Sequence, residues 1–212
     1  MMLVGNIKKG FRKHVSTGII VLGVFAFRSS FADQYIVPSG SMEPTIQIGD
    51  HVLVNKMAYD LRLPFTTISL ARTGEPRRGE VIVFRDPRDP SIRLIKRLIG
   101  LPGDRVRVVN GIVEVNGAPL ETSLAGSTGI EPVLAAARGR FAYDEKAGGR
   151  LHRIQRLPER AARDATELVV PAGRYFFLGD NRDNSADSRV WGFASRDALE
   201  GRAFRTVGSS EL

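Results

Sequence analysis

Apolar and polar residues alternate along several short runs of this chain with the period of two that a half-buried strand requires. "DHVLVNKM", residues 50 to 57, is one such run and predicts a strand. "EVIVF", 80 to 84, comes after the turn-forming Arg77-Arg78-Gly79 and is almost wholly apolar, which predicts a strand buried on both faces. "RLIKRLIGLPGD", 93 to 104, predicts a strand closed by Pro102-Gly103. In "RVRVVNGIVEVNG" two β-rich runs flank Asn110-Gly111, the preferred pair for a type I′ hairpin turn. Strand patterning resumes at "ELVVPAGRYFFLGD", 167 to 180, so the chain reads as mainly β.

Two stretches depart from that pattern. Residues 118 to 165 mix small, charged and glycine residues without sustained periodicity, and read as an inserted lobe of undetermined fold. "SRDALEGRAF" predicts a single short helix capped by Ser195.

Near the N-terminus the pattern changes scale. Val15 to Phe27 contains no charged residue and is succeeded by Arg28. As a helix it rises about 20 Å, short of the roughly 30 Å hydrocarbon core, but lysine and arginine stems can snorkel and the bilayer can thin. A transmembrane anchor over 15–28 is one reading. A cleavable leader ending at Ser30-Phe31-Ala32 is the other, and composition does not separate them.

Charge sharpens this picture. The formal net charge is +8, and Lys8, Lys9, Arg12 and Lys13 put half of it on the first 14 residues, which hold no acid. The remaining excess is too thinly spread for a phosphate track, so nucleic acid is not an expected partner. Basic residues before an apolar run place the N-terminus in the cytoplasm and the chain beyond Arg28 outside. The implied organisation is a basic tail (1–14), an anchor (15–28) and an extracytoplasmic domain (29–212) with the lobe at about 118–165.

Candidate chemistry starts from "VPSGSMEPT", 37 to 45, where Ser39-Gly40-Ser41 sits between Pro38 and Pro44. A serine nucleophile needs a base. His14, His51 and His152 lie in the tail, on a strand and in the lobe, and each reads as surface or packing; no G-x-S-x-G or H-E-x-x-H pattern occurs. There is no cysteine. "GDNRDNSADSR", 179 to 189, holds three aspartates, but a calcium loop begun at Asp183 would have Ser188 in place of glycine and Ala194 in place of glutamate. Its arginines pair better with its aspartates than a cation would, so no metal or cofactor is expected. Lysine is the remaining base of interest, since burial removes its charge. Lys96, in "RLIKRLIGL", stands on the strand face opposite Arg97, and spacing alone leaves it solvent-facing or buried.

"PSGSMEPT", "IKRLIGLPGD" and "GDNRDNSADSRVWGF", in this order, resemble the bacterial type I signal peptidases, membrane-anchored Ser/Lys endopeptidases that remove signal peptides from exported proteins. With "RRGEVIVFRDP", the resemblance covers most of residues 35 to 206. It implies a signal-peptidase-like β-sheet or barrel domain behind one transmembrane helix, no cofactor, and cleavage after small-x-small sites. Ser41 is implied as nucleophile and Lys96 as general base. Ser39 is implied as an oxyanion donor with the Ser41 N–H, and Ser185 as the hydroxyl that orients the lysine amine. Asp187 with Arg189, and Asp180 with Arg182, are implied as support; Val37, Met42 and Ile95 as pocket walls. The lobe is expected not to touch the catalytic residues. Implied partners are pre-protein signal peptides and membrane lipid, at the outer face of the bacterial cytoplasmic membrane. A Ser/Lys protease dedicated to a pilin or secretion component, and a membrane-tethered basic binding module, are the competing readings.

Overall fold

The structure is a computed structural model that describes residues 32–63, 66, 68–125, 139–157, 159–160 and 164–208. The predicted tail and anchor, residues 1–28, lie outside the described residues, as does the middle of the lobe. No helix among the described residues is long and apolar enough to cross a membrane.

In chain order the strands are β1 (Ala32–Ile36), β2 (His51–Asn55), β3 (Asp60–Arg62), β4 (Ser69–Arg72), β5 (Val81–Arg85) and β6 (Arg93–Gly100). Then come β7 (Arg105–Val109), β8 (Ile112–Val115), β9 (Ala118–Pro119), β10 (Glu121–Leu124), β11 (Phe141–Ala147) and β12 (Arg150–Arg156). Last are β13 (Ala165–Val169), β14 (Arg174–Leu178), the helix α1 (Ser188–Trp191), β15 (Ala194–Ser195) and β16 (Leu199–Val207). A seven-stranded antiparallel sheet runs β1-β2-β16-β5-β6-β14-β15, and among the described residues no ladder closes β1 onto β15. The fold is mainly β, built on an open sheet.

Each predicted run becomes a strand for the reason its pattern suggested. In β2, Val52 and Val54 are buried while their neighbours are only partly so. Ile82, Val83 and Phe84 of β5 are all buried, so this strand is covered on both faces. Leu98 and Ile99, adjacent on β6, enter different apolar clusters, which puts a core on each side of the sheet. Phe84 stacks on Phe177 of β14 with ring centroids 4.3 Å apart. Burying each such ring contributes about 1.5–3 kcal/mol. A third cluster, with Val37, Met42, Ile46, Val52, Val54 and Val83, lies under the segment that carries Ser41.

The β7–β8 hairpin turns through Asn110 at φ 49° and Gly111 at φ 73°, the paired positive values of a type I′ turn. After β6 the chain turns at Gly103, whose φ of 88° disfavours any side chain.

Of the two departing stretches, the predicted helix is overturned and the lobe, left undetermined by its sequence, shows its fold. "SRDALEGRAF" is not a helix: Ser195 ends β15 and its side chain makes no cap, Arg196–Ala198 form one 3-10 turn, and Leu199 onward is β16, paired with both β2 and β5. Alternate burial of Leu199 and Gly201 between those strands outweighs the local helix signal. The lobe contains a three-stranded sheet, β10-β11-β12, and its last residue, Ala165, already starts β13 against β7. Its strands escaped the alternation test because Glu145, His152 and Gln155 are among their buried residues. A charged or polar residue pointing inward breaks the apolar period.

Candidate active site

Gly40–Met42 form a single 3-10 turn entered from an extended Ser39. The packing of Met42 and Val37 into the third cluster pulls this turn against the sheet, leaving Ser41 only 8% exposed. Two hydrogen bonds from the segment after β14 fix it: Asn181 N donates to the Ser41 carbonyl at 3.1 Å, and Asn181 Nδ2 donates to the Gly40 carbonyl at 2.9 Å.

Strand β6 brings up the lysine. Lys96 Nζ donates to Ser41 Oγ at 2.7 Å and to the Ile95 carbonyl at 2.9 Å. With 4% of its surface exposed, Lys96 is buried, which decides the alternative that spacing left open. Burial disfavours the ammonium and pulls its pKa from 10.5 to about 8, against the opposing pull of Asp187, Asp180 and Asp86. The neighbouring Arg97 takes other partners: it donates to both oxygens of Asp180, at 2.8 and 2.6 Å, and to the Gly79 carbonyl.

The residues from 179 to 189 form the floor of the site. Asp187 caps α1 by accepting from Arg189 N, accepts from Gly179 N at 3.0 Å, and pairs with Arg189 Nη2 at 2.7 Å. Ser188 Oγ accepts from Phe177 N and anchors the start of α1 to β14. Arg182 pairs with Glu145 of the lobe, not with an aspartate of its own segment, and Asp183 pairs with Arg156. The lobe therefore reaches the supporting residues of the site, while no hydrogen bond or ion pair among the described residues runs from it to Ser41 or Lys96. Gln155 N donates to the Asp180 carbonyl, Arg182 N to the Gln155 carbonyl, and Thr45 Oγ1 to the Arg153 carbonyl. Pairing of this kind has no local sequence signal, since its partners lie 37 residues apart in the case of Arg182 and Glu145.

Other candidate residues are less directly engaged. Ser39 Oγ lies 3.4 Å from Ser41 Oγ. Ser185 Oγ is buried and has no hydrogen-bond partner among the described residues, so the bond to Lys96 that the resemblance implies is not formed. Val37 and Met42 are core residues, at 3% and 0% exposure, whereas Ile95 is half-buried at the edge of the same cluster. Asn181, Arg97 and Glu145 are contributors that sequence reasoning missed. Asn181 lies inside a segment already singled out, and an amide flanked by Asp180 and Arg182 was its one signal.

Chemically, a hydroxyl hydrogen-bonded to an amine of lowered pKa is an activated nucleophile. Among the described residues no cluster of three or more His, Asp or Glu side chains converges as a metal ligand set. Two cavities, of about 270 and 410 Å³, are lined by residues other than Ser41 and Lys96.

Known proteins resemble this chain over most of its length. The family described as signal peptidase, peptidase S26, matches residues 11–207. Signal peptidase I of Pseudomonas fluorescens is 43% identical over 171 residues, which cover 79% of this chain and 58% of that protein. The Aquifex aeolicus signal peptidase I is 34% identical over 215 residues, covering 88% of this chain and 79% of that protein. Against the Pseudomonas relatives, the chain spans about 58% of their length. A solved signal peptidase I from Enterococcus faecalis shares 32% identity over 61% of this chain and 97% of that one, at a TM-score of 0.39.

Proposed function

Because the chain belongs to the signal peptidase family, peptidase S26, we propose that it is a membrane-anchored serine endopeptidase that removes signal peptides from exported pre-proteins. The observation that carries this reading is the 2.7 Å contact between Lys96 Nζ and Ser41 Oγ in a buried setting.

In this mechanism an extended substrate lies beside Ser41, with small side chains before the scissile bond. Neutral Lys96 takes the proton of Ser41 Oγ as that oxygen attacks the carbonyl carbon. The Ser41 N–H and the Ser39 hydroxyl bind the oxyanion. The Lys96 ammonium then protonates the leaving amine, and the neutral amine so regenerated activates water to release the acyl-enzyme. Asp187 with Arg189, and Asp180 with Arg97, hold the floor. Ile95 offers the most accessible wall for a small side chain.

Residues 15–28 are the proposed single span, with the tail 1–14 in the cytoplasm and the catalytic domain at the outer face. Ser41 lies 14 positions after Phe27, so the nucleophile stays within about 50 Å of the membrane boundary. That tether matches where a signal-peptide cleavage site emerges.

The test is cleavage of several unrelated pre-proteins with small-x-small sites, in detergent, with the new N-terminus identified. Wild type is expected to cut once, directly after the second small residue, and folded Ser41→Ala not to cut. A folded wild type inert on all of them overturns the general role and leaves a dedicated processing protease. Cutting that persists in Ser41→Ala overturns the nucleophile assignment.

A further inference from the structure

The lobe holds a buried carboxylate that the catalytic mechanism does not use. Glu145, on β11, is 1% exposed and faces Arg182, itself 2% exposed, and His152 of β12. Arg182 Nη1 donates to Glu145 Oε2 at 2.8 Å, and Arg182 Nη2 donates to Glu145 Oε1. His152 Nε2 lies 3.1 Å from the same Oε1, within ion-pair reach but not aligned as a hydrogen bond. Burial alone would push the Glu145 carboxyl up, yet Arg182 and His152 outweigh it and hold it at about 2. The pair stays charged across the working range.

Arg182 is also bound to the site itself. Its Nε donates to the Gly179 carbonyl, and its own carbonyl accepts from Arg189 Nη2, which in turn pairs with Asp187. Asp180 and Asp187 both stabilise the Arg182 cation, and the same two carboxylates stabilise the Lys96 ammonium. Asp180 is further held by Arg97 and Asp187 by Arg189, while Asp86, after the end of β5 and paired with Arg88, adds a weaker pull on Lys96. Two buried cations thus share two aspartates, and Glu145 is the carboxylate that serves only one of them. A buried cation stripped of its partner draws on whatever anions remain.

We propose that Glu145 is a positioning residue: by neutralising Arg182 it leaves Asp180 and Asp187 to set the charge balance around Lys96. The inserted lobe then acts in catalysis through β11. The proposal rests on the assignment of Lys96 as base, and its test is therefore read on the lysine itself.

The experiment titrates the Lys96 amine in the full chain by pH-dependent reductive methylation, with the Lys96 peptide quantified by mass spectrometry. Glu145→Gln frees a buried positive charge, so Lys96 is expected to titrate lower by at least about half a pH unit. Arg182→Met removes that charge, and Lys96 is expected to titrate higher by a similar amount. The double variant is expected to return close to wild type. Mere structural damage does not move one group in opposite directions in two variants. If Glu145→Gln does not fold, the rise in Arg182→Met and its return in the double variant decide the matter. Shifts absent, or of the same sign in both single variants, overturn the proposal. Pre-protein cleavage measured on the same samples is a separate reading: absent cleavage with the predicted shifts faults the proposed function, not the role of Glu145.

Discussion

Lys96→Met is expected to lose at least about a thousandfold in kcat/KM while making the protein more stable at neutral pH. Methionine fills nearly the same volume, so the strand and its neighbours stay packed, but no group remains to take the Ser41 proton. The stability gain arises from the position of the titration. Unfolded, Lys96 binds its proton near 10.5; folded, burial delays this until about 8. Between those values the unfolded chain binds more protons, so native stability falls as pH drops from about 10.5 to about 8. Below about 8 the full cost, about 3 kcal/mol, is present. Losing the bonds to Ser41 Oγ and the Ile95 carbonyl offsets part of it. A net gain of about 1 to 2 kcal/mol at pH 7, vanishing toward pH 10.5, is the expected result in urea unfolding. A variant that is both inactive and less stable at pH 7 would contradict the burial of an amine.

The second large effect is expected at Gly179→Ala. A methyl group there meets the Ser185 side chain and stands 2.5 Å from the Ser41 carbonyl oxygen. Rotation moves the Ser185 hydroxyl but not its Cβ, 2.5 Å away, and the carbonyl belongs to the turn that carries Ser41 and also accepts from Asn181 N. The turn must therefore move, and with it Ser41 Oγ relative to Lys96. Displacement of a reacting group by about 1 Å costs on the order of a hundredfold in rate. The expected outcome is a kcat lower by about a hundredfold or more, with a stability loss of about 1–3 kcal/mol from overpacking. Activity within about threefold of wild type would mean that the approach of the 179–185 segment to the turn has no catalytic consequence.

Legibility from sequence tracked the physics of each element. β2, β5, β6 and the β7–β8 hairpin were legible because apolar residues face the core at strand period, and because Asn110-Gly111 accept positive φ at low cost. Strands β11 and β12 were not, since Glu145, His152 and Gln155 take inward positions that the period reserves for apolar groups. The helix α1 has four residues, too few to show periodicity, and only its capping Asp187 marks it. Ser195 resembled a cap by type, but the strand pairing of β16 overrode it.

The site divides in the same way. The Ser39-Gly40-Ser41 turn and the Asp187–Arg189 pair are local, and short motifs expose them. The meeting of Ser41 with Lys96 spans 55 residues and is made by the sheet, so residue spacing left the lysine undecided and only the resemblance to a family linked the two. The partners of Asp180 and Arg182 are equally remote. Arg97 and Glu145 are ordinary charged strand residues until folding buries them.

The pairing of a serine nucleophile with a neutral lysine base is best probed by the pH dependence of kcat/KM between pH 6 and 10 on a small-x-small peptide, with chemistry rate-limiting. If neutral Lys96 is the base for Ser41, activity rises with pH as the ammonium loses its proton, with a midpoint near about 8. A profile that stays flat or falls through that range would contradict the assignment of Lys96 as the base.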